Sequence, residues 1–196
     1  MNYERFKKQM DFILEIDKAK NIFRQTFISS NDRTENDAEH SWHMCVMAFL
    51  MAEYFDSDID IAKVVKMLLI HDIVEIDAGD TYCYDAKANE DKAEREMKSA
   101  TRIFGILPED QFNEYMELWQ EFEKKETKEA VFAAVLDRVQ PIMLNYATDG
   151  RAWIEHGIHH EQVLERNKIT LEKAPDEFVM YLKEIIDSAV EKGYLK

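Results

Sequence analysis

Apolar residues recur at three- and four-residue spacing along almost the whole chain, the period of helices that bury one face. A first helix is predicted over 2–22, with Phe6, Met10 and Ile13 among its apolar positions, and the polar stretch SSNDRTEN after it reads as a loop. Asn36 and Glu39 have the N-cap and N3 spacing of a capping box, which starts a second helix running to about Tyr54. Its expected inner face carries His40, His43, Met47, Leu50, Met51 and Tyr54. A third helix is predicted over 60–76, with Ile61, Val64, Val65 and Leu68 on one side and the Ala78–Gly79 turn at its end.

The segment GDTYCYDAKANED mixes aromatic and polar residues and reads as an ordered loop. A charged amphipathic helix follows over about 90–104, ended by Gly105 and Pro108. Further helices are predicted over about 109–124, 127–147 and 160–192. In the first of these, Phe112, Tyr115, Met116, Trp119 and Phe122 have the spacing of core packing rather than of a binding platform. In the last, Phe178, Tyr181, Leu182 and Ile185 are expected inward, with Gly193 past the C-terminus. Five glycines and three prolines leave little turn chemistry for a many-stranded fold, so the expected architecture is all-α, one domain over 1–196.

Composition narrows the function. A chain of 196 residues with 46% hydrophobic content can bury a substantial core. Forty acidic residues against 25 basic give a formal charge of −15, which repels polyphosphate and argues against DNA, RNA or anionic membrane as partner. An anionic small molecule needs local positive charge to bind here. Cys45 and Cys83 show no paired spacing and read as small core residues in a reduced compartment. The N-terminus MNYERFKKQMDF has no sustained apolar region, and no later run approaches the ~20 residues of a membrane helix, so a cytoplasmic protein is expected.

Three helices interrupt their apolar stripes with chemistry. In LLIHDIVEIDAGD, positions 61, 64/65, 68, 71/72 and 75 share a helical face, which turns His71, Asp72 and Glu75 inward. His40 stands seven residues before Met47 on the second helix, and Asp137 lies among Ala130, Ala133, Ala134 and Leu144 on the sixth. A lone inward histidine is commonly a hydrogen-bonded core residue, and a lone aspartate commonly pairs with arginine. Together, two imidazoles and two carboxylates make a mixed nitrogen and oxygen set suited to Mn²⁺, Co²⁺, Fe²⁺, Ni²⁺, Zn²⁺ or Mg²⁺.

The order His40, His71–Asp72, Asp137 on successive helices resembles the HD-domain metal-dependent phosphohydrolases. RTENDAEHS before the first histidine and HDIVEIDAGD around the doublet resemble the branch that holds the bacterial 5′-deoxynucleotidases and their HDDC2-like relatives. The likeness covers about residues 10–160 and implies a helical HD-domain bundle in which His40, His71, Asp72 and Asp137 ligate one divalent cation. It further implies that Glu75 and Asp80 handle protons, that Arg33 and Arg24 contact substrate, and that the protein is a homodimer. Asp77 has no matching family position and is expected to face solvent. The deoxynucleotidases carry a tryptophan directly after the arginine that Arg24 matches, where this chain has Gln25.

The chain has no histidine between His71 and His156, so it lacks the mid-chain histidines with which two-metal HD enzymes hold a second ion. His43 reads as a group supporting the site or as a core histidine, and His156, His159 and His160 as surface residues. The leading expectation is a phosphomonoesterase acting on nucleoside 5′-monophosphates. A catalytically silent metal- or nucleotide-binding module and an HD-type cyclic-nucleotide phosphodiesterase are the alternatives.

Overall fold

The computed structural model describes residues 3–55 and 58–196. Helix α1 spans Tyr3–Ile16 and passes into a 3-10 turn at Asp17–Asn21. Strands β1 (Phe23–Phe27) and β2 (Thr34–Asn36) form an antiparallel hairpin, followed by α2 (Asp37–Met51), α3 (Ile61–Ile70) and the single-turn α4 (Glu75–Ala78). Then come α5 (Lys92–Phe104), α6 (Glu109–Lys124), α7 (Lys128–Ala147), α8 (Arg151–His156), α9 (His160–Arg166), α10 (Lys168–Lys173) and α11 (Asp176–Glu191). The fold is all-α apart from the hairpin. Among the described residues, no helix is long and apolar enough to cross a membrane. The expected start of the first helix at residue 2 lies outside the described residues.

Local chemistry sets several boundaries. Asn36 and Glu39 form the capping box that opens α2, Asp60 caps α3 by accepting from the Lys63 amide, and Thr127 caps α7 through the Ala130 amide. Gly193 adopts φ 73° just beyond α11, where the Tyr194 amide returns to the Ala189 carbonyl at 2.8 Å.

Helix α7 is the axis of the molecule. Ala130, Ala133 and Ala134 are fully buried and small enough to let neighbouring helices approach, while Phe132, Val135 and Leu136 fill the first core cluster with Met44, Ala48, Val64 and Leu68. Each large apolar side chain so buried contributes about 1.5–3 kcal/mol. A second cluster joins Phe12, Ile70, Val74, Ile103, Phe104 and Trp119. A third joins Ile142 at the far part of α7 to Trp153, Val163, Leu182 and Ile186.

Several expectations are corrected. Helix α1 ends at Ile16, the last residues assigned to it form the 3-10 turn, and the hairpin occupies the unassigned stretch from Phe23 and the end of the expected loop. Phe6, Met10 and Ile13 are exposed, and Phe12 is the residue α1 buries. On α2 the inner face carries His40, Met44, Cys45, Met47 and Ala48, while Leu50 and Tyr54 face outward. That helix is apolar on nearly every side from Met44 onward, so periodicity alone does not select a face. The third helix breaks at Ile70, and the final helix is divided at Asn167 and again at Ala174–Pro175. Tyr181 is exposed. Cys45 is a core residue, but Cys83 is half-buried on a cavity wall.

Candidate active site

The break in α3 is built by His71. Its Nδ1 donates to the Leu68 carbonyl at 2.9 Å, and the chain continues through tightened bonds from Ile73 to Ile70 and from Glu75 to Asp72. With Nδ1 committed to the backbone, Nε2 is the atom turned into the interior, where it is buried without an aligned hydrogen bond. It lies 3.0 Å from Asp72 Oδ2 and 3.8 Å from Asp137 Oδ1.

His40 presents the same nitrogen by a different route. Its Nδ1 faces Gln140 Oε1 at 3.0 Å, so Nε2 points to Asp137 Oδ1 at 3.2 Å and Asp72 Oδ2 at 3.9 Å. Two imidazole nitrogens and two carboxylate oxygens therefore converge, from α2, from the end of α3 and from α7. Ligand atoms of His40, His71 and Asp72 all lie within 4.8 Å of one another. An ion with ligand distances of about 2.1 Å needs neighbouring donors roughly 3 Å apart. The spacing, the orphaned His71 Nε2 and the mixed donor chemistry fit a divalent metal ion.

The electrostatics follow from packing charges together. Burial disfavours the His71 cation, but Asp72 and Asp137 outweigh it and raise its pKa to about 10. Burial likewise pushes the carboxyl of Asp72 up, yet His71 and Arg24 outweigh it and hold it below the usual carboxylate range. Asp137 is also depressed: the guanidinium of Arg138 and the two histidines prevail over burial. A bound cation would replace the protons that now balance these carboxylates.

Beside the convergence lies a second group of acids. Asp37, Asp72 and Glu75 bring carboxylate oxygens within 4.8 Å of one another. Glu75, 3% exposed, leaves Oε2 without a partner, and both oxygens of Asp37 are equally unpaired by hydrogen bonds. Burial first, then the charge of Asp72, raises Asp37 to about 8 and lifts Glu75 well above the usual carboxylate range. Asp80 is raised too, chiefly by burial. Gly79 makes its placement possible, because φ 75° turns the chain sharply after α4.

Arg24 reaches into this acidic group, with Nη1 2.7 Å from Asp72 Oδ2 and 3.7 Å from Asp37 Oδ1. Arg24, Gln25 and Thr26 all line the same cavity, which a regular strand with alternating side chains does not permit. The hairpin register explains it: Phe23 pairs with Asn36 and Phe27 with Thr34, so β1 carries extra residues that bulge between those pairs. The cavity holds about 340 Å³, and His71, Asp72, Glu75, Asp80 and Asp137 open onto it. Lys92, Lys125, Arg138 and Arg166 add positive charge to its wall in a chain of net charge −15.

Other expected site residues fall elsewhere. Arg33 is paired with Glu39 through two bonds of 2.7 Å at the surface and is not among the cavity residues. Asp77 is exposed and paired with Arg102. His43 is half-buried beside Gln140 Nε2 at 3.2 Å. His156 is exposed and meets Gln25 at 3.1 Å and the Tyr82 ring at 4.5 Å, whereas His159 lies on the surface and His160 is half-buried. Phe122, read from sequence as core alone, also packs its ring 4.9 Å from that of His71.

Sequence reasoning missed Glu35, Asp37 and Gln140. Gln140 donates to Glu35 Oε1 at 2.7 Å while accepting from His40, which fixes the histidine's orientation. Its position one turn after Asp137 was the available signal. Glu35 lies in the hairpin and Asp37 opens α2 directly after it, where helical periodicity gives no signal.

A sequence model of the HD domain matches residues 16–178. The chain belongs to the HD domain family. It is similar to the human 5′-deoxynucleotidase HDDC2, 30% identical over 135 residues that cover 68% of this chain and 65% of that protein. The mouse protein of the same name is 29% identical, covering 67% and 65%. The matches thus span just under two thirds of those relatives' lengths. Among solved structures, a predicted metal-dependent phosphohydrolase from Magnetospirillum magnetotacticum MS-1 superposes with TM-score 0.89 at 49% identity over 98% of each chain. A conserved hypothetical protein from Pyrococcus furiosus gives TM-score 0.61 at 26% identity over 93% of this chain and 99% of its own. The superposition on the Magnetospirillum protein thus covers nearly the whole chain.

Proposed function

We propose that this HD domain protein is a phosphomonoesterase that releases phosphate from nucleoside 5′-monophosphates, with His40, His71, Asp72 and Asp137 as ligands of one divalent ion. The observation that carries this reading is the convergence of those four side chains next to the buried carboxyl of Glu75, in a cavity that Arg24 enters. When bound, such an ion supplies Lewis-acid polarisation of the phosphoryl group and lowers the pKa of water.

The chain's own groups supply the rest. Glu75 takes a proton from the attacking water, and Asp80 gives one to the departing 5′ oxygen. The bond from phosphorus to that oxygen breaks as the water oxygen bonds to phosphorus, giving a nucleoside and inorganic phosphate. Arg24 changes partners from Asp72 to the incoming phosphate, whose oxygens suit a planar guanidinium. The deoxynucleotidase names of the human and mouse relatives support a nucleotide substrate.

We also assign the chain to one domain and the protein to the cytoplasm as a homodimer. Exposed apolar side chains on α1 (Phe6, Ile13, Leu14) and α2 (Trp42, Phe49, Leu50) support a contact between copies. Light scattering tests that assembly. The function is tested by phosphate release from 5′-, 3′- and 2′-deoxy-5′-monophosphates after chelation and restoration of single metals. Release confined to 5′-monophosphates and lost in Asp72→Ala is expected; silence with every phosphomonoester despite bound metal overturns the reading.

A further inference from the structure

Helix α7 measures out the cavity. Asp137, Arg138, Pro141, Ile142 and Asn145 all line it. Eight residues at a rise of ~1.5 Å set Asn145 about 12 Å along the axis from Asp137. The cavity therefore continues past the metal-binding end by more than a phosphate requires.

Two carboxamides in the cavity wall are held alike. Asn145 Nδ2 donates to the Pro141 carbonyl at 2.8 Å, and Asn167 Nδ2, at the junction of α9 and α10, donates to the Val163 carbonyl at 2.8 Å. Each bond fixes the amide, because the reverse orientation would set an oxygen against a carbonyl oxygen. Both Oδ1 atoms are left buried without a partner, in residues 6% and 1% exposed. The hydroxyl of Tyr82 is a further buried, unpartnered polar atom on the same cavity. Tyr82 and Tyr84 also bring aromatic rings to that wall, 5.3 Å apart between centroids.

Unpaired buried acceptors are rare in folded proteins and call for a donor. Resting on the nucleotide reading above, we propose that Asn145 and Asn167 form a base-reading subsite that accepts hydrogen bonds from an exocyclic amino group. The separation of Asn145 from Asp137 along α7 suits a base edge when the phosphate lies at the metal-binding end. An oxo group at the same place would set oxygen against oxygen, so amino-bearing bases are favoured over their oxo counterparts.

Cytosine and uracil make the sharpest comparison, since they differ in one amino-for-oxo exchange and the accompanying ring proton. The experiment compares kcat/KM for dCMP and dUMP, with deoxyribose 5-phosphate as the baseless control, in the metal-loaded full chain and in Asn145→Leu and Asn167→Leu. Wild type is expected to favour dCMP by roughly 10-fold or more, and each variant to bring the ratio towards one while baseless hydrolysis stays within about twofold. A wild-type ratio near one overturns the proposal by itself, whether or not the variants fold. So do variants that slow dCMP, dUMP and the baseless control alike, or that change the ribose-to-deoxyribose ratio instead. If no phosphate ester is hydrolysed, the phosphomonoesterase reading fails separately. Calorimetry with cytidine and uridine then decides the subsite: tighter cytidine binding that both variants abolish supports it, and equal or absent binding overturns it.

Discussion

The Nδ1 proton of His40 is directed at Gln140 Oε1, 3.0 Å away, and both side chains are fully buried. Gln140 is in turn held by Glu35, so a chain of three residues turns His40 Nε2 towards Asp137. Supporting residues of this kind govern ligand orientation without touching the ion. Gln140→Ala is expected to weaken Mn²⁺ binding by about 10–100-fold, read by calorimetry. Activity at saturating metal should largely return. Unchanged affinity would remove Gln140 from the support of the site.

Asp37 gives the metal-free protein a pH-dependent weakness. Its folded carboxyl holds a proton to about pH 8, whereas its ordinary value is 3.8. The folded state binds more protons between those values, so stability falls as pH rises from about 4 to about 8, by as much as several kcal/mol. Asp37→Asn removes a charge that would otherwise be buried. In chelator, the variant should melt several degrees above wild type at pH 9, and the two should converge near pH 4. Thermal scans across that range decide it; parallel curves at all pH values would show that Asp37 ionises freely.

In the proposed reaction Glu75 takes the proton of the attacking water, and its buried carboxyl lies within 4.8 Å of carboxylate oxygens of Asp37 and Asp72. Glu75→Gln keeps the shape and removes the base. A loss of about 10²–10⁴ in kcat is expected while Mn²⁺ binding is retained. Pre-steady-state phosphate release alongside calorimetry separates the two effects. Equal loss of metal and activity would make Glu75 a ligand rather than a base.

The all-α class and the convergence of His40, His71, Asp72 and Asp137 were legible because polar residues on an apolar stripe point inward whatever the tertiary detail. The hairpin was not. Its five- and three-residue strands are too short for alternation to register, and the bulge in β1 erases what alternation there was. The break at His71 was equally hidden, since it depends on a side chain replacing a backbone donor at the Leu68 carbonyl. Gln140 and Asn145 were hidden for another reason: an amide on a helix shows its use only when the helices packed against it are known.

Arg24 and Arg33 separate by environment rather than by residue type. Both were expected at the substrate, yet Arg24 is largely buried among Asp72, Asp37 and Glu35, while Arg33 is exposed and doubly bonded to Glu39. Burial lowers the Arg24 pKa, but Asp72 and Glu75 outweigh it and keep the guanidinium charged. An incoming phosphate can take over that charge with little rearrangement, and water screens the Arg33 pair. Arg24→Ala should raise KM for a 5′-monophosphate by roughly 10-fold or more, since a charge-assisted hydrogen bond is worth about 1.5–3 kcal/mol. Arg24→Lys should recover only part of that loss, because a point charge cannot reproduce the planar fork. Arg33→Ala should leave KM within about twofold and shift the denaturation midpoint little, because the exposed pair with Glu39 is screened by water. Steady-state kinetics on the three variants, with chemical denaturation for the last, would reverse this assignment if Arg33→Ala alone raised KM.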